Sequence, residues 1–245
     1  MHAAFLPRPR AMLAAGALAI AATAAHAEPA DKVYQPIVEY REFEVELRGG
    51  YVHDRDPAVN TAQQYVMDLG YGMTPWWFSE VVMNFKNDPD SSAHVDALEL
   101  ENIFQLTEQG KYWADLGLFT EYEHPKAKGD PDEIVAGPML QKEIGRTVNT
   151  LDLLASRQIG AGRDPKTHGA YRFQSQWRTG RVVDVGVQAF GDLTGDEKSQ
   201  MLGPAIFADT HIGDTHIKFD AGVPIGLTHD SPDLLVRWQL ELEFH

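Results

Sequence analysis

From residue 42 to the C-terminus, apolar and polar side chains keep changing places one for one. Glu42-Phe43-Glu44-Val45-Glu46-Leu47-Arg48 alternates without a slip. Tyr65, Met67, Leu69 and Tyr71 share one side of their segment, and Val81, Met83 and Phe85 oppose Glu80, Asn84 and Lys86. The same beat runs through 112–122, 171–178, 183–189 and 216–223, and ends in Val236-Arg237-Trp238-Gln239-Leu240-Glu241-Leu242-Glu243-Phe244. Successive side chains of an extended strand point to opposite faces, so each segment predicts a strand with one apolar and one charged face. Weaker candidates lie near 97–107, 133–142, 147–158 and 201–210. Helical spacing is sustained nowhere after the leader. The prediction is an all-β chain of about twelve strands.

The connections sharpen it. Long polar links near 53–62, 86–96, 123–132, 160–169, 191–200 and 227–233 alternate with short ones near 72–75, 108–111, 143–146, 179–181 and 212–215. A sandwich has no reason to gather every long loop at one end, whereas an up-and-down transmembrane barrel does. Period two alone does not say whether the apolar face meets lipid or a protein interior. Aromatics beside the short links (Tyr71, Trp76, Trp77, Phe78, Tyr112 and Trp113) fit a girdle at headgroup depth and favour the barrel in lipid. The alternative is a soluble periplasmic β-barrel binding protein. Pro138, Pro204 and Pro224 lack the N–H that a closed ladder uses, so they are expected near rims or bulges.

Composition closes other routes. With 21 Lys and Arg against 36 Asp and Glu, the formal charge is −15, which argues against a nucleic-acid partner. The absence of Cys excludes disulfides, thiolate metal sites and thiol nucleophiles. Residues 1–27 read as a secretory signal peptide: Arg8 and Arg10, an Ala-rich apolar run, then Ala25-His26-Ala27. Residues 28–38 read as a short periplasmic N-terminal extension, and 39–245 as a single closed antiparallel barrel with both ends periplasmic.

The signal peptide, Asp68-Leu69-Gly70-Tyr71-Gly72-Met73-Thr74-Pro75 and the closing strand 235–244 together resemble Gram-negative outer-membrane β-barrels. The resemblance is nearest to proteobacterial barrels described only as transporter- or porin-like, the family associated with meta-pathway phenol degradation. It covers roughly 40–245 and departs at the end, where His245 follows the aromatic Phe244. It implies an outer-membrane location, passive passage or uptake of small molecules, and no catalytic residues. The partners it implies are outer-membrane lipid and lipopolysaccharide, a small solute, and the barrel-insertion machinery during biogenesis.

With the apolar face outside, the lumen receives twelve acids and five bases, Glu42, Arg48, Glu80, Glu121, Asp220 and Glu243 among them. The pore-lining candidates are Glu44, Glu46, Glu99, Glu101, Asp115, Arg172, Arg178, Asp184, Lys218, Arg237 and Glu241. Unpaired buried charges are costly and the acids outnumber the bases, so pairing alone does not neutralise this set. A wetted, cation-favouring path is one reading; a filled, salt-bridged barrel serving structure or surface binding is the other. No cofactor is expected. His53, His94, His124, His168 and His229 fall in long links near Asp, and His211 and His216 flank a short one, but no His-Glu-x-x-His spacing assigns a metal. An embedded hydrolase would need an outward Ser–His pair. The outward serines, Ser79 and Ser175, have no evident partner, so no enzyme is expected.

Overall fold

The computed structural model describes residues 28–89, 91–195 and 198–245; the expected signal peptide lies outside them. The described residues contain no helix. Their strands are β1 (Phe43–His53), β2 (Gln63–Thr74), β3 (Trp77–Asn87), β4 (His94–Gln105), β5 (Asp115–Pro125), β6 (Asp132–Ile144), β7 (Thr147–Ile159), β8 (His168–Trp177), β9 (Val183–Asp192), β10 (Gln200–Ile212), β11 (Thr215–Gly222), β12 (Ile225–Gly226) and β13 (Leu234–Phe244).

Each strand pairs antiparallel with its neighbour, and β1 pairs with β13 from Phe43↔Phe244 to His53↔Leu234, which closes the sheet on itself. The two-residue β12 continues the line of β11 beyond Val223-Pro224, pairing with β10 and β13. The fold is therefore a closed twelve-stranded barrel whose eleventh strand is interrupted, as the period-two reading predicts. Pro224 lies at that interruption, and Pro204 faces it from β10, accepting a bond from the Val223 N–H at 3.0 Å.

Two expectations about the strands and their connections need correction. Pro138 is in the middle of β6 and not at a rim. It pairs with Leu118 of β5, while on the β7 side the ladder skips Gly137 and Pro138 and resumes in the same register at Met139↔Asp152. The missing N–H is thus accommodated by a local gap in the ladder. The connection 106–114 is also no tight turn. Strand β5 starts only at Asp115, whose carboxylate accepts the Gly110 N–H at 2.6 Å and ties the loop back on itself. Tyr112 and Trp113 belong to this loop.

The apolar face is outside. Leu47, Met67, Leu69, Val81, Leu100, Val185, Ile206, Phe219 and Val236 are exposed on the wall, while Glu44, Glu46, Arg48, Asp68, Glu80 and Glu101 are buried within it. This inverts the order of a soluble barrel and is the wall of a transmembrane one. Near the short links Phe43, Tyr71, Trp76, Trp113, Trp177 and Phe244 stand exposed, and toward the long loops Tyr51, Tyr65 and Tyr122 do. Phe78, expected in the first girdle, instead points inward and is buried.

Candidate functional site: the occupied lumen

Residues 28–42 run through the barrel from the long-loop end toward the short-link end. The expectation of a periplasmic extension at 28–38 is replaced by this internal path. Near the long loops the Ala30 N–H donates to Gln64 Oε1 at 3.0 Å. At mid-depth the Tyr34 N–H donates to Asp152 Oδ2 at 2.8 Å and its hydroxyl to Glu101 Oε1 at 3.0 Å. Lower down, the Val38 N–H donates to Gln105 Oε1 at 2.8 Å. Arg41 and Glu42 then exchange backbone bonds with Gly72, each at 2.9 Å, before β1 begins. Wall side chains thus supply the backbone partners that an irregular segment inside a barrel cannot find in lipid.

The barrel is shaped to take the segment. A side chain at Gly50 would collide with the Pro29 carbonyl, and one at Gly72 with the Glu39 carbonyl, so both positions must be bare for the chain to lie this close. Tyr34 and Val38 pack with Phe78, Ile103, Phe119, Met139 and Leu154 into an apolar cluster inside the lumen. The Tyr34 and Phe119 rings stack with centroids 4.0 Å apart.

Charge completes the seat. Lys32 Nζ lies 3.1 Å from both Glu46 and Glu80 and 3.7 Å from Asp68. Arg48 reaches Glu46 at 2.8 Å, Asp68 at 3.1 Å and Glu101 at 3.7 Å. Two cations therefore meet four carboxylates in a region closed to solvent. Arg172 holds Asp31 at 2.6 Å, and its guanidinium and Lys32 Nζ lie 5.3 and 5.0 Å from the Tyr34 ring centre.

Of the eleven predicted lining residues, Glu44, Glu46, Glu99, Glu101, Arg172, Lys218, Arg237 and Glu241 project inward from the strands. Glu46 and Glu101 bind the threaded segment's cation network, and Arg172 binds its Asp31. Between the adjacent strands β11 and β13, Arg237 pairs with Asp220 at 2.9 Å, over the Phe190 ring, and Lys218 pairs with Glu241 at 3.0 Å and with Glu243. Glu44, Glu99 and Glu121 make no ion pair among the described residues. The other three sit at the short-link rim. Asp115 ties the 106–114 loop, Asp184 accepts the Thr179 N–H at 2.7 Å, and the half-exposed Arg178 makes a bidentate pair with Glu143.

The sequence reading missed Lys32, Tyr34, Asp68 and Asp152. The first two lie in a stretch without alternation. Asp68 and Asp152 do occupy the polar parity of β2 and β7, so the alternation alone was enough to place them inside. Ser79 and Ser175 donate their hydroxyls to the Glu101 carbonyl and to Asn149 Oδ1, at 3.3 and 2.8 Å.

No family model matches the chain, and no curated protein does. Among solved structures it is similar to an outer membrane channel from Pseudomonas putida F1, with a TM-score of 0.58 and 12% identity over 89% of this chain and 100% of that one. The Acinetobacter baumannii outer membrane protein Omp33 aligns over 85% of this chain and 99% of its own, with 12% identity and a TM-score of 0.42. At such identities the first likeness concerns the fold alone.

Proposed function

We propose that this chain is an outer-membrane barrel giving passive passage or uptake of small molecules through a mostly acidic lumen that its own N-terminal segment narrows. The single observation carrying this reading is the inverted wall: apolar residues outside a closed barrel, and within it carboxylates that outnumber the cations. Glu44, Glu99 and Glu121 have no cationic partner among the described residues; buried carboxyls of this kind are neutralised by a proton or by water and mobile cations, and this reading takes the second. A twelve-stranded barrel is intermediate between a filled eight-stranded one and an open porin, and the reading places a narrow path beside the segment. The solved channel of similar fold supports the reading without naming a solute. Outer-membrane lipid and lipopolysaccharide surround the wall, and the short-link end faces the periplasm.

The test is conductance of the refolded chain in planar bilayers, with reversal potentials measured under a salt gradient. The reading predicts small cation-selective steps. A sealed, non-conducting barrel would favour the second reading, structural or surface-binding, which the tight seating of residues 28–42 also supports.

A further inference from the structure

The β10–β11 hairpin brings together side chains that the lumen network does not use. His211 and His216 are direct cross-strand partners next to the Gly213-Asp214 turn, and their rings stack with centroids 4.2 Å apart and planes 6° from parallel. Asp209 stands two residues before His211 and so shares its face, the inner one at the short-link rim. Its Oδ1 is 2.7 Å from His216 Nε2. The other nitrogen of that ring, Nδ1, contacts buried Glu243, which Lys218 holds in place.

A neutral imidazole carries one N–H and cannot donate to two carboxylates. With the proton on Nδ1 directed to Glu243, Nε2 turns a lone pair toward the oxygen of Asp209, a contact that either a second ring proton or a bound metal ion relieves. A carboxylate taking the far N–H of a histidine is the usual support of a metal-bound imidazole, because it fixes the tautomer and orients the ring. Ligand atoms of Asp209, His211 and His216 all lie within 4.8 Å of one another, and turning the exposed His211 ring out of the stack would let them share one ion. We propose that these three residues form a binding site for a borderline divalent transition metal of the Zn²⁺, Cu²⁺ or Ni²⁺ class, with Glu243 as its positioning residue. Two imidazoles and one carboxylate match that class, whereas Mg²⁺ and Ca²⁺ take oxygen ligands. Asp209 and His211 are exposed, which gives the ion a way in and leaves coordination positions for water.

The test is zinc titration of the full chain, refolded in detergent, against a competing chelator, with Co²⁺ as a spectroscopic probe and Mg²⁺ as a control. The expected result is one saturable Zn²⁺ per barrel, visible Co²⁺ bands of low coordination number, and no displacement by Mg²⁺. His211→Ala and His216→Ala should each weaken binding at least ~10-fold, and Glu243→Gln about 10- to 100-fold. Heat-modifiable gel migration identifies the variants that still fold; exposed His211 supplies one that should. Absence of saturable uptake, or uptake unchanged by His211→Ala, overturns the site. So does ¹⁵N evidence that both ring nitrogens of His216 stay protonated in excess zinc, since a doubly hydrogen-bonded imidazolium then explains the geometry.

Discussion

Arg172, on the inner face of β8, reaches across the lumen to hold Asp31 of the threaded segment at 2.6 Å. Both side chains are largely removed from solvent, and the pair fastens the segment to the wall opposite the Lys32 network. The interior is thereby divided. Strands β1 to β8 grip residues 28–42, and the unaccompanied inner faces of β9 to β13 carry their own pairs, Arg237 with Asp220 and Lys218 with Glu241.

Removing the central cation should unseat the segment. Lys32→Met leaves Glu46, Asp68 and Glu80 facing one another with only Arg48 between them. Breaking a buried pair from one side costs about 3–5 kcal/mol. The expected outcome is a lowered unfolding midpoint in detergent and new protease cleavage within 28–42. An unchanged midpoint with an intact segment would show that the Lys32 contacts contribute little.

Steric expulsion gives an independent test. Gly50→Leu places a side chain where the Pro29 carbonyl lies, and Gly72→Val does the same at Glu39. Either should displace the segment and raise single-channel conductance above that of the parent chain. Conductance equal to the parent's would mean that the segment does not limit the path.

The stacked pair Tyr34 and Phe119 should show energetic coupling. A double-mutant cycle with Tyr34→Leu and Phe119→Leu is expected to give about 0.5–1.5 kcal/mol of interaction, read from denaturant unfolding in micelles. A value near zero would place the ring contact outside the folding unit.

At the C-terminus, the hydrogen bond between His245 and Glu39 at 2.9 Å raises the imidazole pKa above its ordinary value. A raised folded-state pKa stabilises below the unfolded value, near 6.5, and that contribution disappears as pH climbs through the folded value. His245 should therefore titrate above free histidine by NMR, and Glu39→Gln should lower its midpoint. A midpoint that does not move on substitution would contradict the contact.

The wall was readable from the chain because each residue of a barrel strand has only two places to point. Glu44, Glu46 and Glu101 fall inside, and Leu47, Leu69 and Val236 outside, as their parity dictates. What parity does not describe is a segment without a strand. Residues 28–41 do not alternate in polarity, and their position depends on long-range matches such as Tyr34 with Asp152, residues 118 apart in sequence. The break opposite Pro138 and the late start of β5 escaped for a related reason. A ladder gap preserves parity on both sides of it, and Tyr112-Trp113-Ala114 mimics strand composition within a loop. Phe78 was misplaced because it was grouped with its aromatic neighbours and not by its parity, which it shares with inward Glu80.

The central claim is that hydrocarbon touches the outer wall, and the lack of any native Cys makes it directly measurable. A nitroxide attached at Phe219→Cys, with the chain reconstituted in liposomes, can be probed for collisions with oxygen and with a water-soluble nickel chelate. The account predicts high oxygen and low nickel accessibility at this site and at Leu69→Cys. Free access of the chelate to both positions would mean that the apolar wall does not lie in a bilayer, and the proposed passage across the outer membrane would fall with it.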